Sequence, residues 1–151
     1  MSTILSVFLK ENAVLPENTN VVVSERFVEE VEVNGKKEKK PVEWEIRAIT
    51  MQEDEDIRKE CTRKVQIPGK KGQYTTEMDV DKYLGKLAVE CTVFPNLKDE
   101  SLQDNYGILG ADNLLKVMLL PGEYASYLEK IQELCGFDIP MDEKVEEVKN
   151  S

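Results

Sequence analysis

The most informative absence from this 151-residue sequence is histidine, which does not occur at all. Histidine is the side chain whose unperturbed pKa lies nearest neutral pH, so Ser–His and Cys–His activation of a nucleophile are both excluded. Hydrolase motifs and calcium loops are also missing, and Pro68–Gly72 lacks the spacing of a phosphate-binding loop. The sequence therefore predicts no catalytic, cofactor-binding or metal-binding residues and favours a protein that binds another protein.

Cysteine is scarce and dispersed. Cys61, Cys91 and Cys135 form no C-x-x-C pair, which argues against a structural zinc site. Three well-separated cysteines are typical of free thiols in a reducing compartment. Each falls on an apolar helical face, which predicts a small buried hydrophobic side chain.

Long apolar runs and positive charge are lacking as well. No segment approaches the roughly 20 apolar residues of a membrane span, and the N-terminus has no basic region or cleavage site of a signal peptide. We therefore expect a cytoplasmic protein. The net charge of −10 would repel nucleic acid at long range, and it suits partners with basic surfaces.

The N-terminal half carries the β signals. Residues 4–9 are apolar without a clear period, which leaves a short helix and an edge strand open, and Val21–Val23 predicts a buried strand. Residues 27–33 and 42–48 alternate apolar and polar side chains, which predicts a hairpin whose connection over residues 34–40 is a mobile basic loop. Residues 66–75 predict another basic loop or a second small hairpin.

The helical signals begin at Thr50, where Thr50 and Glu53 form a capping-box pattern, and this helix is predicted to end before Pro68. A second amphipathic helix is predicted from Asp79 to Phe94, and Gly85 within it favours close approach by a neighbouring element. Further helices are predicted from Asp99, from Asp112 and after Pro121–Gly122, with Gly136 as the final C-cap.

These patterns predict an α+β fold in a single domain over residues 1–137. An N-terminal β-hairpin or small antiparallel sheet packs on a helix, and a mostly helical C-terminal half follows. Residues 138–151 hold too little apolar surface to pack and predict a disordered acidic tail.

The two consecutive helices between residues 112 and 135 carry an unusually apolar and aromatic load. In so small a protein, a helix that is apolar nearly all round has buried both sides or has left one for a partner. Both interpretations stay open for the stretch as a whole. The predicted partner-binding residues are Leu114, Leu115, Met118, Leu119, Tyr124, Tyr127 and Leu128.

An ordered set of short segments adds a family resemblance to this interpretation. The set consists of S-E-R-F at 24–27, W-E-I-R-A-I-T at 44–50, F-P-N-L at 94–97, Tyr106-Gly107, Leu114-Leu115 and P-G-E-Y at 121–124. With them, residues 1–137 resemble the XkdN-like tail assembly chaperones of phages and phage-like elements in Gram-positive bacteria.

The resemblance implies a non-catalytic protein of the host cytoplasm that binds the tape-measure protein and keeps it soluble during tail morphogenesis. It also implies the tail-tube protein as a further partner and absence from the finished virion. Self-association is compatible with the sequence. Three alternatives stay open: a structural tail or head-completion component, an acidic regulatory or anti-host protein, and a histidine-free enzyme that uses carboxylates or lysines.

Overall fold

In a computed structural model of the chain, the structure describes residues 2–11, 13–14 and 16–137. The predicted acidic tail, residues 138–151, lies outside the described residues. The helices are α1 (Ser2–Ser6), α2 (Met51–Glu60), α3 (Val80–Cys91), α4 (Glu100–Tyr106), α5 (Ala111–Met118) and α6 (Pro121–Leu134). The strands are β1 (Thr19–Val21), β2 (Val28–Val33), β3 (Lys36–Pro41), β4 (Trp44–Ile46), β5 (Thr62–Gln66), β6 (Tyr74–Met78) and β7 (Thr92–Phe94).

These elements confirm the α+β class, with the helices concentrated in the C-terminal half. One antiparallel sheet of order β1–β4–β7 packs into the body of the fold. Its central strand buries Trp44 and Ile46, and the Trp44 ring meets the Tyr127 ring of α6 edge to face at 5.3 Å. The buried side chains of this sheet and of α2, α3, α5 and α6 form one hydrophobic core.

The predicted pairing of residues 27–33 with residues 42–48 in one hairpin is wrong. Strand β2 pairs instead with β3, so the basic segment predicted as a mobile loop is itself a strand, and β4 joins the core sheet. Asn34 and Gly35 both adopt positive φ, which is the geometry of a two-residue hairpin turn. Three Glu–Lys pairs then face each other across β2 and β3, Glu29 with Lys40, Glu30 with Lys39 and Glu32 with Lys37.

The second hairpin is confirmed, but it is longer than predicted. Helix α2 ends at Glu60 rather than before Pro68, and β5 follows at once and pairs with β6. Val65, which falls within the predicted helix, lies instead in β5 and is only half-buried. Helix α2 therefore ends next to Cys61, whose side chain is buried in the core.

Three of the five predicted helix starts are confirmed by their caps, whereas α5 begins at Ala111 and α6 at Pro121, before the predicted positions. Thr50 and Glu53 form the reciprocal capping box of α2, and Asp79 and Asp99 accept hydrogen bonds from Lys82 N–H and Leu102 N–H at the starts of α3 and α4. Helix α3 ends at Cys91, three residues earlier than predicted, because residues 92–94 join the core sheet as β7.

Gly85 is the site of close approach that the sequence indicated. A Cβ at this position would lie 3.3 Å from the Asp112 Cβ on α5 and 3.6 Å from the Tyr124 hydroxyl on α6. The absence of a side chain thus lets α3 pack closely against both later helices.

All three cysteines are free, and Cys61 and Cys91 are buried as predicted. Cys135 is half-buried, with its Sγ 3.7 Å from the Cys91 Sγ. Among the described residues, no helix has both the length and the apolar character needed to cross a membrane.

Candidate partner-binding surface

The structure brings the seven predicted partner-binding residues together, but most of them face inward. Helices α5 and α6 both pack on α3. Five of the seven side chains are buried in the core: Leu114, Leu115, Met118, Leu119 and Tyr127. A partner could contact these five only if they left the core, so the assignment stays a prediction.

Tyr124 and Leu128 lie at the edge of the same core and are half-buried. The Tyr124 hydroxyl points toward the α3–α5 contact, and burial, together with nearby Asp81 and Asp112, raises the pKa of this hydroxyl. Next to the predicted set, Val117 and Leu120 are about half exposed. The accessible apolar surface of these helices is therefore carried largely by residues outside the predicted seven.

Leu120 lines a groove of about 620 Å³ between residues 22–26 and the first half of α6, which we call the α6 groove. Val22, Val23, Leu120 and Tyr127 give it an apolar lining, and charged groups from both sides also border it. An apolar floor with a charged rim is the form in which proteins commonly bind an amphipathic helix.

An ion pair closes one end of the α6 groove. The Arg26 Nη2 donates to the Glu123 Oε1 at 2.8 Å and to the Met118 carbonyl oxygen at 2.6 Å. The Glu123 carboxylate also accepts the Leu120 N–H at 2.8 Å. The hydrogen bond from Arg26, followed by those from Ser24 and the Leu120 N–H, lowers the pKa of Glu123 to about 2. Glu123 therefore stays ionised at neutral pH and joins the start of α6 to residues 24–26.

Tyr127 forms part of the floor of the groove, and its ring and hydroxyl both have contacts in the core. Its ring packs against Trp44, and its hydroxyl forms a hydrogen bond with the Thr92 Oγ1, which in turn donates to the Ala88 carbonyl oxygen. Burial raises the pKa of Tyr127 above its ordinary value, so this hydroxyl keeps its proton. The floor of the groove is thus part of the hydrophobic core.

A second accessible apolar surface lies at the N-terminus, in α1 and the turn after it. Ile4, Leu5, Val7, Phe8 and Leu9 are all exposed, with 76% of the Phe8 side chain accessible. The sequence left this segment as a helix or an edge strand, and the structure forms a short helix there. Five large exposed apolar residues within six positions are more than a monomeric surface usually carries.

The described residues contain no group of three or more metal-ligating side chains placed to hold a metal ion. The α6 groove was missed in the sequence because Val22 and Leu120 come together only through the fold. The apolar run that starts after Asp112 predicts a helical position for Leu120, whereas Leu120 is the N-cap residue of α6.

The chain is thus a small α+β protein with one hydrophobic core, an apolar groove and an exposed apolar N-terminal segment. Comparison with known proteins identifies its family. The sequence model of the family described as "Phage XkdN-like tail assembly chaperone protein, TAC" matches residues 5–149. The chain therefore belongs to the XkdN-like phage tail assembly chaperone family.

Two relatives from Bacillus subtilis (strain 168) support this membership. The chain is 32% identical to "Uncharacterized protein YqbN" and 26% identical to "Phage-like element PBSX protein XkdN", each over 97% of this chain and 93% of the relative. A crystal structure of the protein YqbN superposes with a TM-score of 0.67 at 30% identity, covering 88% of this chain and 96% of that chain.

Proposed function

We propose that this protein is a non-catalytic tail assembly chaperone that binds the tape-measure protein in the host cytoplasm and keeps it soluble until the tail tube forms. The observation that carries the proposal is the family match over almost the whole chain. The tail-tube protein is the second partner that we propose. A chaperone of this kind acts during assembly and does not stay in the finished particle.

The α6 groove supports the proposal because its chemistry suits a long helical client. An amphipathic helix would place its apolar face against Val22 and Leu120, while its polar face meets Arg26 and Lys130 at the rim. A net charge of −10 on each bound copy would keep the complex dispersed.

The seven predicted residues divide into two roles in this proposal. Tyr124 and Leu128 contribute partly accessible contact surface next to the groove. The five buried residues hold α5 and α6 in position, so they act on client binding through the shape of the surface. The exposed residues of 4–9 extend the contact beyond the groove.

The test is co-expression of the tape-measure protein with the wild-type chain and with the double variant Val22→Ser/Leu120→Ser. Serine removes apolar surface and is a good N-cap at position 120, so α6 is retained. We expect the wild-type chain to raise the soluble fraction of the client and to co-purify with it. The double variant should lose most of both effects.

The matched control is Val80→Ser/Leu109→Ser, which removes one exposed valine and one exposed leucine away from the groove. It should behave as wild type. Equal loss in both variants would argue against the α6 groove. A wild-type chain without effect on the client, or found in purified particles in stoichiometric amounts, would contradict the chaperone function itself.

A further inference from the structure

One hairpin of this acidic protein carries a net positive charge: the β5–β6 hairpin, which we call the basic arm (residues 62–78). The arm carries Arg63, Lys64, Lys70 and Lys71 against the single acid Glu77, a net charge of +3. Because the whole chain carries −10, the remainder carries −13. The molecule is therefore strongly dipolar, with its positive end on this arm.

The geometry of the arm presents this charge to solvent. Its two strands pair with each other, and among the described residues no other element packs extensively against them. Gly69 and Gly72 adopt positive φ on either side of Lys70 and Lys71, so a tight turn places both lysines at the tip. None of the four cations of the arm lies within ion-pair distance of a carboxylate in the described chain.

An acidic cleft of about 550 Å³ lies elsewhere on the surface, between α2, α3 and the start of α5. Five carboxylates and two lysines line it, which gives a net charge of −3. The carboxylates are those of Glu53, Asp56, Glu60, Glu90 and Asp112.

Part of this acidic charge is already neutralised by ion pairs and part is not. Arg47 pairs with Glu53 at 3.0 Å and with Glu90 at 3.3 Å, and Lys86 pairs with Glu60 at 3.5 Å. Within the described chain, Asp56 and Asp112 have no basic group at ion-pair distance. The cleft thus has unpaired carboxylates, as the arm has unpaired cations.

The arm and the cleft lie on opposite faces of α2. The α2 residues at the base of the arm are Glu55, Arg58 and Lys59, whereas those that line the cleft are Glu53, Asp56, Ile57 and Glu60. At 100° per residue the mean directions of these two sets lie about 160° apart on the helix. No residue of the arm lines the cleft of its own chain.

We propose that the basic arm of one copy docks into the acidic cleft of a second copy, with Lys70 and Lys71 meeting Asp56 and Asp112. Because the two surfaces differ and face opposite ways, the contact is heterologous and continues from copy to copy as an open chain. A small polar contact of this kind belongs to the weak, transient class, below about 1,200 Å² of buried surface. Such an assembly suits a protein that must line up on a long client and later leave it.

The test is sedimentation velocity of the full-length chain alone, so its outcome does not depend on the identity of any client. At about 0.15 M NaCl, where charges interact over about 8 Å, we expect oligomers that grow with concentration. At about 1 M NaCl, where that range falls to about 3 Å, they should dissociate. The arm variant Lys70→Glu/Lys71→Glu and the cleft variant Asp56→Lys/Glu60→Lys should each weaken association about ten-fold or more.

Matched controls separate this contact from a general effect of net charge. Lys36→Glu/Lys37→Glu makes the same charge change on the β2–β3 hairpin, and Glu129→Lys/Glu133→Lys makes the change of the cleft variant on exposed positions of α6. Both controls should associate within about two-fold of wild type. Mixing the arm variant with the cleft variant should restore association, because each reversed surface then meets its complement.

Three results would overturn the proposal: a wild-type chain that stays monomeric at about 500 µM, controls that weaken association as much as the arm and cleft variants do, or a mixture that does not recover. Duplex DNA bound by the wild-type chain and not by the arm variant, in a chain that does not self-associate, would instead assign the arm to nucleic acid.

Discussion

The helical body and the two hairpins of this protein follow different physical rules. In the body, α3, α5 and α6 bury fully enclosed side chains such as Leu87, Leu115 and Ile131. The hairpins β2–β3 and β5–β6 bury no side chain completely; they are defined by positive-φ turns and cross-strand pairs. Stability therefore resides in the body, and the hairpins are available for contacts with other molecules.

The two hairpins also differ from each other in how their charge is arranged. The β2–β3 hairpin sets glutamates opposite lysines and is neutral overall. The basic arm has no such arrangement, and it keeps a net charge of +3. This contrast is the reason that charge reversal on one hairpin serves as the control for the other.

The largest effect on the free energy of unfolding is expected from a substitution that creates a cavity in the helical body. Leu115→Ala should lower the free energy of unfolding by about 2–5 kcal/mol, because the side chain is fully enclosed between α5 and α3. Val33→Ala, on the exposed β2–β3 hairpin, should change it by less than about 0.5 kcal/mol. Urea unfolding followed by far-UV circular dichroism measures both. Similar losses would mean that the hairpins share the core.

A buried polar network should give the next largest effect. Asp54 is buried on α2 and accepts hydrogen bonds from the Tyr83 hydroxyl at 2.5 Å and from the Arg58 Nε at 2.7 Å. Burial, followed by the hydrogen bond to Asp54, raises the pKa of Tyr83 to about 12. Tyr83→Phe should cost about 1–3 kcal/mol because it leaves the buried carboxylate short of one donor.

The matched control for that change is Tyr74→Phe on the basic arm, where the ring is exposed. It should leave the urea midpoint unchanged. If Tyr83→Phe also leaves it unchanged, the buried Asp54 carboxylate does not depend on the Tyr83 hydroxyl, and the hydrogen bond from the Arg58 Nε is sufficient for it.

A smaller effect that depends on pH is expected at Glu123. Its pKa is about 2 in the folded protein against an ordinary value of 4.5, so the stabilisation is complete above about pH 4.5 and is lost as the pH falls toward 2. Glu123→Gln should therefore lower the melting temperature at pH 7, and the difference from wild type should close near pH 2. A difference in melting temperature that persists undiminished at pH 2 would contradict this role of Glu123.

The smallest effect is expected from the largest change in sequence. Replacing residues 30–39 by Asn-Gly would join Glu29 to Lys40, which already face each other across the hairpin, by a two-residue turn. The free energy of unfolding should change by less than about 1 kcal/mol, since the removed residues bury no side chain completely. A chain that aggregates or melts much earlier would show that β2–β3 supports the body.

Local signals predicted the helix starts well, because the caps depend on side chains within a few residues. Three N-caps can be recognised directly in the sequence: Thr50 together with Glu53, Asp79, and Asp99. The helix ends were less predictable. Cys61 and Cys91 end their helices because the following residues enter strands whose partners lie farther along or earlier in the chain.

The pairing of the first hairpin was predicted wrongly for a related reason. Alternating valines and glutamates in β2 look like a strand with one buried face, yet no layer covers that face in the described structure. The apolar load of α5 and α6 was detected correctly. The hydrophobic periodicity of the sequence shows that Leu114 lies on an apolar face. It does not show whether a partner or α3 covers that face.

Trp44 gives the molecule an internal optical probe of one region only. It is the single tryptophan of the chain, it is 2% exposed, and it lies against Tyr127 beneath the α6 groove. Its emission will respond when the groove is filled or the core loosens, and events on either hairpin will leave it unchanged. One fluorescence spectrum can thus distinguish a ligand bound by the helical body from one bound by either hairpin.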